Sequence, residues 1–373
     1  MKLNTIKEAI EDLKNNKVII VVDDENRENE GDFIFPAEII SPEVVNFMAT
    51  HGRGLICVPL TSKRCKYLKL DPMVAKNTEI MKTAFTISVD LIGDGVTSGI
   101  SASDRAKTIV ALACDKTIPS DLARPGHIFP LSAKDGGVLR RTGHTEAAVD
   151  LSRLAGYKPV GVLCEIMNDD GSMARLPDLL KVAKKFNLKI ISIEDLVSYR
   201  MKNDSLIELI DKFDLKTIYG DFVLNTFKQK NNDQVHLALT KGSWSRQESV
   251  LCRVNSFGSI NNSIDDLVIR EDSAIKKIAK KINKEDKGVI VFVNQDHEAK
   301  PILNKISHLK KIQSSGKDFK PYKKMDAKDF GIGAQILHKL NVSKIKLLTT
   351  KNRKIKRVGM GGYGLKIVET VNF

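Results

Sequence analysis

Cysteine is scarce in this chain, and the few there are do not group. Cys57, Cys65, Cys114, Cys164 and Cys252 are odd in number, scattered, and form no Cys-x-x-Cys pair. That excludes a disulfide framework and a zinc knuckle, and it fits reduced thiols in a reducing compartment. Long apolar runs are missing as well: none approaches the ~18 to 20 residues that a membrane helix needs. The opening MKLNTIKEAI carries Glu and Lys where a signal peptide would be apolar. No internal repeat is visible, and no low-complexity tract beyond Lys-rich patches such as KDFKPYKK. The expectation is a soluble cytoplasmic protein. With 373 residues it is too long for one ordinary core, so two domains of roughly 150 to 200 residues are expected.

Charge is distributed unevenly. Residues 1–203 hold 28 Lys and Arg against 27 Asp and Glu, a net +1, whereas residues 204–373 hold 32 against 19, a net +13. A basic half reads either as a nucleic-acid or polyphosphate surface or as a solvated face. Here 27 of its 32 cations are Lys and they are spread along the half, which favours the solvated face and makes nucleic acid an unexpected partner.

Periodicity supplies the elements. Ile6, Ala9, Ile10 and Leu13 recur at helical spacing, KVIIVV reads as a buried strand, and Ser41-Pro42-Glu43 has a cap, a first-turn Pro and an acid where a helix begins. GLICVPL (54–60), FTISVD (85–90) and GVLCEI (161–166) read as strands and SASDRAKTIVALAC (101–114) as a capped helix; LPDLLKVAKKFN, KIISI and EDLVSYRMK read as helix, strand, helix. The polar run KNDSLIELIDKFD (202–214) reads as the junction. Beyond it HLALTKG, VLCRV, GVIVFVN and KIKLLTT read as strands, with SAIKKIAKKINK and DFGIGAQILHKL as helices. The alternation predicts an α+β fold of layered α/β type in each half, divided as 1–202 and 203–373.

Four features could carry chemistry. DDENRENEGD, residues 23–32, packs seven charged side chains into ten residues between two apolar runs. It reads as a solvated loop or as a metal site. Arg27 among the acids, and Gly31, which permits close backbone approach, favour a site. On an extended segment Glu28, Glu30 and Asp32 would point to one side, where hard oxygen ligands suit Mg²⁺ or Mn²⁺ better than zinc. In DLARPGHIFPL, His127 follows a Pro-Gly turn and is structural or functional. In LRRTGHTEAAVDL, the run from Arg140 to Thr145 (Arg141, Thr142, Gly143, His144 between them) is either an anion grip at a helix amino end or a basic turn. Glu165 is an acid in an apolar strand, where burial raises a carboxyl into the range useful for proton transfer, unless it is exposed at the strand end. Together these suit proton abstraction beside a carbonyl in a sugar phosphate.

The strings DDENRENEGDFIFPAE, RPGHIFPL, GGVLRRTGHTEAAVDL, AGYKPVGVLCEIMNDDGSMARLPDL and ISIEDLVSYR closely resemble 3,4-dihydroxy-2-butanone 4-phosphate synthase of riboflavin biosynthesis. The resemblance covers essentially all of residues 1–202. It implies conversion of D-ribulose 5-phosphate into formate and L-3,4-dihydroxy-2-butanone 4-phosphate, with two Mg²⁺ or Mn²⁺ ions, in a homodimer with residues of both subunits at each site. It further implies that Glu28 and His144 ligate metal, that Arg27 and Asp32 contact the sugar, and that Arg141 to Thr145 hold the phosphate. His127 and Glu165 match positions essential to the reaction, and Cys57, which falls beside them, counts with them as a catalytic candidate. The metal ions would stabilise the enediolate left when a proton leaves C3, before dehydration, rearrangement and loss of C4 as formate.

The second half resembles GTP cyclohydrolase II in HLALTKG, VLCRVNS, GVIVFVN, ILNKI, DFGIGAQIL, KIKLLTT and YGLKIVE. It departs from that family where chemistry is concerned. The family follows its corresponding strand with three zinc-binding cysteines, and RVNSFGSINNSIDDLVIRED has none. NQDHEAKPI (294–302) stands where the family has a Gly- and Arg-rich nucleotide segment, and TKNRK (350–354) where it has Asn-Asn-Pro-Arg-Lys. The glycines of GMGGYG (359–364) read as turns. The expectation is a synthase with a cyclohydrolase-like domain that binds no zinc and is inactive; alternatives are a bifunctional enzyme, or a domain that binds nucleotide, RNA or a partner protein.

Overall fold

The computed structural model describes residues 3–217, 219–230, 234–257, 273–294, 331–349 and 360–373. Two units emerge, one of Met1–Asn203 with Lys356–Gly362 and one of Asp204–Ile355 with Tyr363–Phe373.

In the first unit helix α1 (Ile6–Lys14) starts where Thr5 and Glu8 cap each other reciprocally, and it buries Ile6, Ala9, Ile10 and Leu13. The wholly buried strand β1 (Ile19–Val22) follows, then β2 (Gly31–Pro36) and α2 (Pro42–His51), whose cap is Ser41. Next come β3 (Cys57–Thr61), α3 (Ser62–Tyr67), β4 (Val89–Leu91), α4 (Ala102–Ala113), β5 (Leu122–Ala133) and α5 (His144–Leu154). The unit closes with β6 (Gly161–Glu165), α6 (Leu176–Phe186), β7 (Ile190–Ser192) and α7 (Ile193–Asn203). The mixed sheet runs β4-β5-β3-β6-β2-β1-β7. Its centre matters most: β2 and β6 are antiparallel with Asp32 opposite Glu165, and Cys57 on β3 lies opposite Leu163 of β6.

The second unit has its own sheet, ordered β14-β13-β11-β12-β10-β9-β8. The strands are β8 (Ile207–Thr217), β9 (Gly220–Gln229), β10 (Val235–Lys241), β11 (Ser249–Phe257), β12 (Gly288–Asn294), β13 (Lys344–Thr349) and β14 (Lys366–Asn372). Helix α8 (Ser273–Glu285) buries Ile275, Ile278, Ala279 and Ile282 against Leu237, Leu239, Ile290 and Phe292, and its lysines point away. Fully burying an isoleucine contributes about 1.5–3 kcal/mol, so this apolar stripe is what holds the helix. Helix α9 spans Gly331–Lys339.

Several local expectations change. The run 202–214 is no loose junction: after α7 it becomes the long edge strand β8, paired along its length with β9. Nearly all its side chains are exposed or half-exposed, so it carries no buried and exposed alternation by which a strand is recognised. FTISVD is mostly irregular, with only Val89–Leu91 forming β4. Arg124 to His127 lie inside β5 instead of forming a turn before a strand. The β4–β5 register jumps from Val89↔Ile128 to Asp90↔Ala123, so these four residues bulge out of the ladder. A Cβ on Gly31 would stand 2.4 Å from Leu179 Cδ1, so its bareness admits a core leucine. The expectations for 258–272, 295–302, 350–354 and Gly359 lie outside the described residues.

Candidate active site

The acidic loop between β1 and β2 is ordered by one carboxylate. Asp23 Oδ2 accepts from Arg27 Nη1 (2.9 Å) and from the Glu28 N–H (3.1 Å), while Oδ1 accepts from the Glu30 N–H (2.9 Å). Arg175, at the start of α6, fastens the loop from the other side: its Nη1 donates to the Glu28 carbonyl (2.9 Å) and to that of Asn29. The segment is therefore not extended. Residues 25–28 turn and Asn29 sits at φ 56°, so the alternation anticipated for Glu28, Glu30 and Asp32 does not exist. Glu28 and Asp32 nonetheless meet, because both face His144.

His144 begins α5 and is buried. Its Nε2 lies 3.0 Å from the Val21 carbonyl, which can only accept. Nε2 therefore carries the hydrogen and, in the neutral ring, Nδ1 keeps a lone pair. That lone pair is 3.8 Å from Glu28 Oε2 and 3.8 Å from Asp32 Oδ2, too long for hydrogen bonds and short enough for one cation to touch imidazole and carboxylate together. Asp23, Glu28 and His144 offer ligand atoms within 4.8 Å of one another. Asp23 has both oxygens committed to N–H groups, so Glu28 and His144 are the better candidate ligands, and Asp23 orders the loop that carries Glu28. Asp32 adds a further sign: its Oδ1 is buried without a hydrogen-bond partner. An orphaned carboxylate oxygen beside an imidazole lone pair fits a divalent cation with hard oxygen ligands.

Electrostatics separates the acids. Burial raises the Glu28 carboxyl, but His144 and Arg27 outweigh it and hold the group at about 2. Burial pushes the Asp32 carboxyl well above the carboxylate range, with Glu165 and Glu28 adding repulsion against the pull of His144. The Glu165 carboxyl is also raised by burial, although its Oε2 accepts from the Leu55 N–H at 2.8 Å. Glu165 ends β6 half-buried, not fully exposed as a strand-end acid would be. Cys57 is buried, and burial together with Glu165 and Asp32 drives its thiol far above its ordinary value. So placed, it stays a neutral thiol beside Glu165 and Asp32.

The anion grip is part of the same cluster. Gly143 caps α5 without a side chain, leaving the first-turn N–H groups for an anion. A Cβ there would come 2.5 Å from Arg141 Nη1 and 2.9 Å from Arg27 Nη2, so both guanidinium groups crowd this helix end. Thr145 is buried in the first turn and Thr142 is half-buried beside it. Arg141 is not wholly available: Nη1 donates to Glu146 Oε2 at 2.6 Å and Nη2 to the Met81 carbonyl at 3.3 Å.

His127 stands apart. It is held by Asp90, and no described hydrogen bond or ion pair joins it to Glu28 or His144. Asp23, Glu146, Arg175 and Asp90 were not singled out from the sequence. Asp23 to Arg27 is an i,i+4 pair in plain view, while Asp90 is 37 residues from His127 and Arg175 147 from Glu28, with no local signal.

Comparison with known proteins finds two families along the chain. The family model for 3,4-dihydroxy-2-butanone 4-phosphate synthase matches residues 7–199, and that for GTP cyclohydrolase II matches residues 208–372. Riboflavin biosynthesis protein RibBA of Cytophaga hutchinsonii is 52% identical over 376 residues, covering 100% of this chain and 92% of that protein. RibBA of Aquifex aeolicus is 47% identical, covering 99% and 92%. Among solved structures, RibBX of A. baumannii, a two-domain 3,4-dihydroxy-2-butanone 4-phosphate synthase, aligns over 99% of both chains with TM-score 0.66 and 37% identity. A 3,4-dihydroxy-2-butanone 4-phosphate synthase in complex with two magnesium ions aligns over 54% of this chain and 98% of its own, with TM-score 0.52 and 42% identity.

Proposed function

The chain belongs to the 3,4-dihydroxy-2-butanone 4-phosphate synthase family, enzymes of riboflavin biosynthesis, and from that premise we propose that it converts D-ribulose 5-phosphate to L-3,4-dihydroxy-2-butanone 4-phosphate and formate in a divalent-metal-dependent reaction, without GTP cyclohydrolase II activity. The carrying observation is the meeting of Glu28, Asp32 and the His144 lone pair at the open end of α5. Glu28 and His144 would hold Mg²⁺ or Mn²⁺, and two such ions would draw electron density from the sugar oxygens and so acidify the neighbouring C–H.

The rest falls to the chain's own groups. The uncapped end of α5, with Arg27, Arg141, Thr142 and Thr145, takes the phosphate. Asp32 and Glu165 lie opposite each other across β2 and β6; burial raises both carboxyls and Glu165 raises Asp32 further, so the pair carries a proton to give and a site to take one. Asp32 also meets the sugar. Cys57 keeps the wall uncharged and excludes a competing base. His127 moves a proton at its exposed ring, which fits a homodimer with residues of both subunits at each site. The reading is tested by formate release from ribulose 5-phosphate: EDTA stops it, and Glu28→Ala or His144→Ala lowers it at least ~10²-fold. Unchanged turnover in either variant rejects the assignment.

The absence of the second activity rests on thiols. Residues 204–373 contain one cysteine, Cys252, which is fully buried on β11 with its thiol pushed far up by burial. One inaccessible thiol supplies no three-cysteine zinc site. Stoichiometric zinc together with GTP hydrolysis by the full chain would reverse this.

A further inference from the structure

His127 is 45% exposed, yet it is built in like a buried residue. The bulge that carries it is anchored at its start by Arg124, whose Nη1 donates to the carbonyls of Pro119 (2.9 Å) and Leu122 (2.7 Å) and whose Nη2 donates to that of Leu68 (2.8 Å). The Gly126 N–H donates to Ser88 Oγ at 3.2 Å, and a Cβ on Gly126 would fall 2.0 Å from the Val89 carbonyl carbon, so the bulge lies flat on β4. The last grip is double: Asp90 Oδ1 accepts the His127 N–H at 2.9 Å, and Oδ2 stands 2.7 Å from Nδ1. Asp90 itself is walled in. Gly99, at φ 88°, passes so close that a Cβ would be 2.2 Å from Asp90 Oδ2 and 2.8 Å from His127 Nδ1. The loop bearing Gly99 is locked by buried Asp104, whose Oδ2 accepts from the N–H and hydroxyl of Thr97 and from the Gly99 N–H.

An exposed histidine in an ordinary surface pair needs none of this, because such a pair contributes little and its side chains wander. We infer that Asp90 is a positioning residue for the synthase reaction: it fixes the His127 ring and its tautomer, with the loop of Thr97, Gly99 and Asp104 holding Asp90 in place. The geometry fixes the proton chemistry. A carboxylate on Nδ1 keeps the ring hydrogen there, so the exposed Nε2 is the atom that takes or gives the proton. Held at its backbone N–H and at Nδ1 by one carboxylate, the residue keeps its ring orientation, and orientation is where general acid–base groups gain much of their rate. The inference rests on the role given above to His127 and can fail separately from it.

The test is a double-mutant cycle on the full chain with Asp90→Asn, His127→Ala and the combination, reading kcat and KM for formate release. Asp90→Asn keeps the shape, removes the charge and leaves one acceptor oxygen for two donors, the His127 N–H and the Nδ1 hydrogen. It lowers kcat about 10- to 100-fold and leaves KM within about twofold. In the His127→Ala background the same change alters kcat by less than about twofold, because the residue through which it acts is gone. If Asp90→Asn unfolds the chain, Asp90→Glu, which keeps the charge but moves the oxygens, replaces it in the cycle. Two outcomes overturn the inference: wild-type kcat in the Asp90 variant while His127→Ala is impaired, or the full loss recurring on top of His127→Ala. Wild-type turnover in His127→Ala instead removes the reading of His127 itself.

Discussion

Asp23 is where the building of the ion site is most directly tested, because its place admits two roles with different consequences. Its carboxylate lies within ligand reach of Glu28 and His144, but its two oxygens already accept three N–H groups at 2.9, 3.1 and 2.9 Å. In Asp23→Asn the amide oxygen can still serve the Glu30 N–H, while the amide NH₂ replaces the oxygen that served Arg27 and the Glu28 N–H. Two hydrogen bonds to a charged acceptor are lost, each about 1.5–3 kcal/mol, or about 3–6 kcal/mol together before water takes back part at the half-open Glu28 side. Some of that appears as a floppier loop and the remainder as poorer ion binding. Residues that orient a metal ligand from behind typically cost 10- to 100-fold in affinity, and about 1.4–2.7 kcal/mol lies inside the amount available. The measurement is a Mn²⁺ titration followed by electron paramagnetic resonance of the free ion. The dissociation constant rises about 10- to 100-fold, and the number of ions at saturation equals that of wild type. Unchanged affinity refutes the loop-ordering role, and loss of a bound ion at saturation makes Asp23 a ligand.

Two further expectations concern buried charges. Burial works against the His144 imidazolium, but Asp32, Glu28 and Asp23 outweigh it and raise it to about 9. The stability this contributes to the metal-free protein is therefore complete below the ordinary value of about 6.5 and is lost as pH rises through about 9. Because a ligating imidazole is unprotonated, Mg²⁺ binding at neutral pH releases a proton and tightens across that window; titration calorimetry in two buffers of different ionisation heat measures it, and binding without proton release excludes His144. Separately, Arg200 Nη1 meets Asp150 Oδ2 at 2.7 Å with side chains only 6% and 4% exposed. Asp150→Ala lowers stability about 3–5 kcal/mol in urea unfolding; a loss below about 1 kcal/mol, the size of an exposed pair, contradicts this.

Much of the fold was readable because its signals are local. The Thr5 and Ser41 caps, the buried run of β1 and the apolar stripe of α8 each announce an element within a few residues. Edge strand β8 and the β5 bulge were misread for the converse reason. What defines them is a partner strand: β9 satisfies one side of an otherwise polar run, and β4 forces Arg124 to His127 out of register.

The sequence by itself determined which chemistry was on offer: an acid-rich loop with one Arg, a Gly-His pair able to open a helix, an acid in an apolar strand, and too few cysteines in the second half for a thiolate zinc site. Only the tertiary structure decided how those groups act. Asp32 sits opposite Glu165 because β2 pairs with β6, and burial there raises both carboxyls. The Val21 carbonyl selects the His144 tautomer from 123 residues away, and Arg175 and Asp90 hold residues to which nothing in the linear chain connects them. Residue type sets what a side chain can donate, accept or ligate. Proton affinity and orientation depend on burial and neighbours, which exist only once the chain has brought distant strands together.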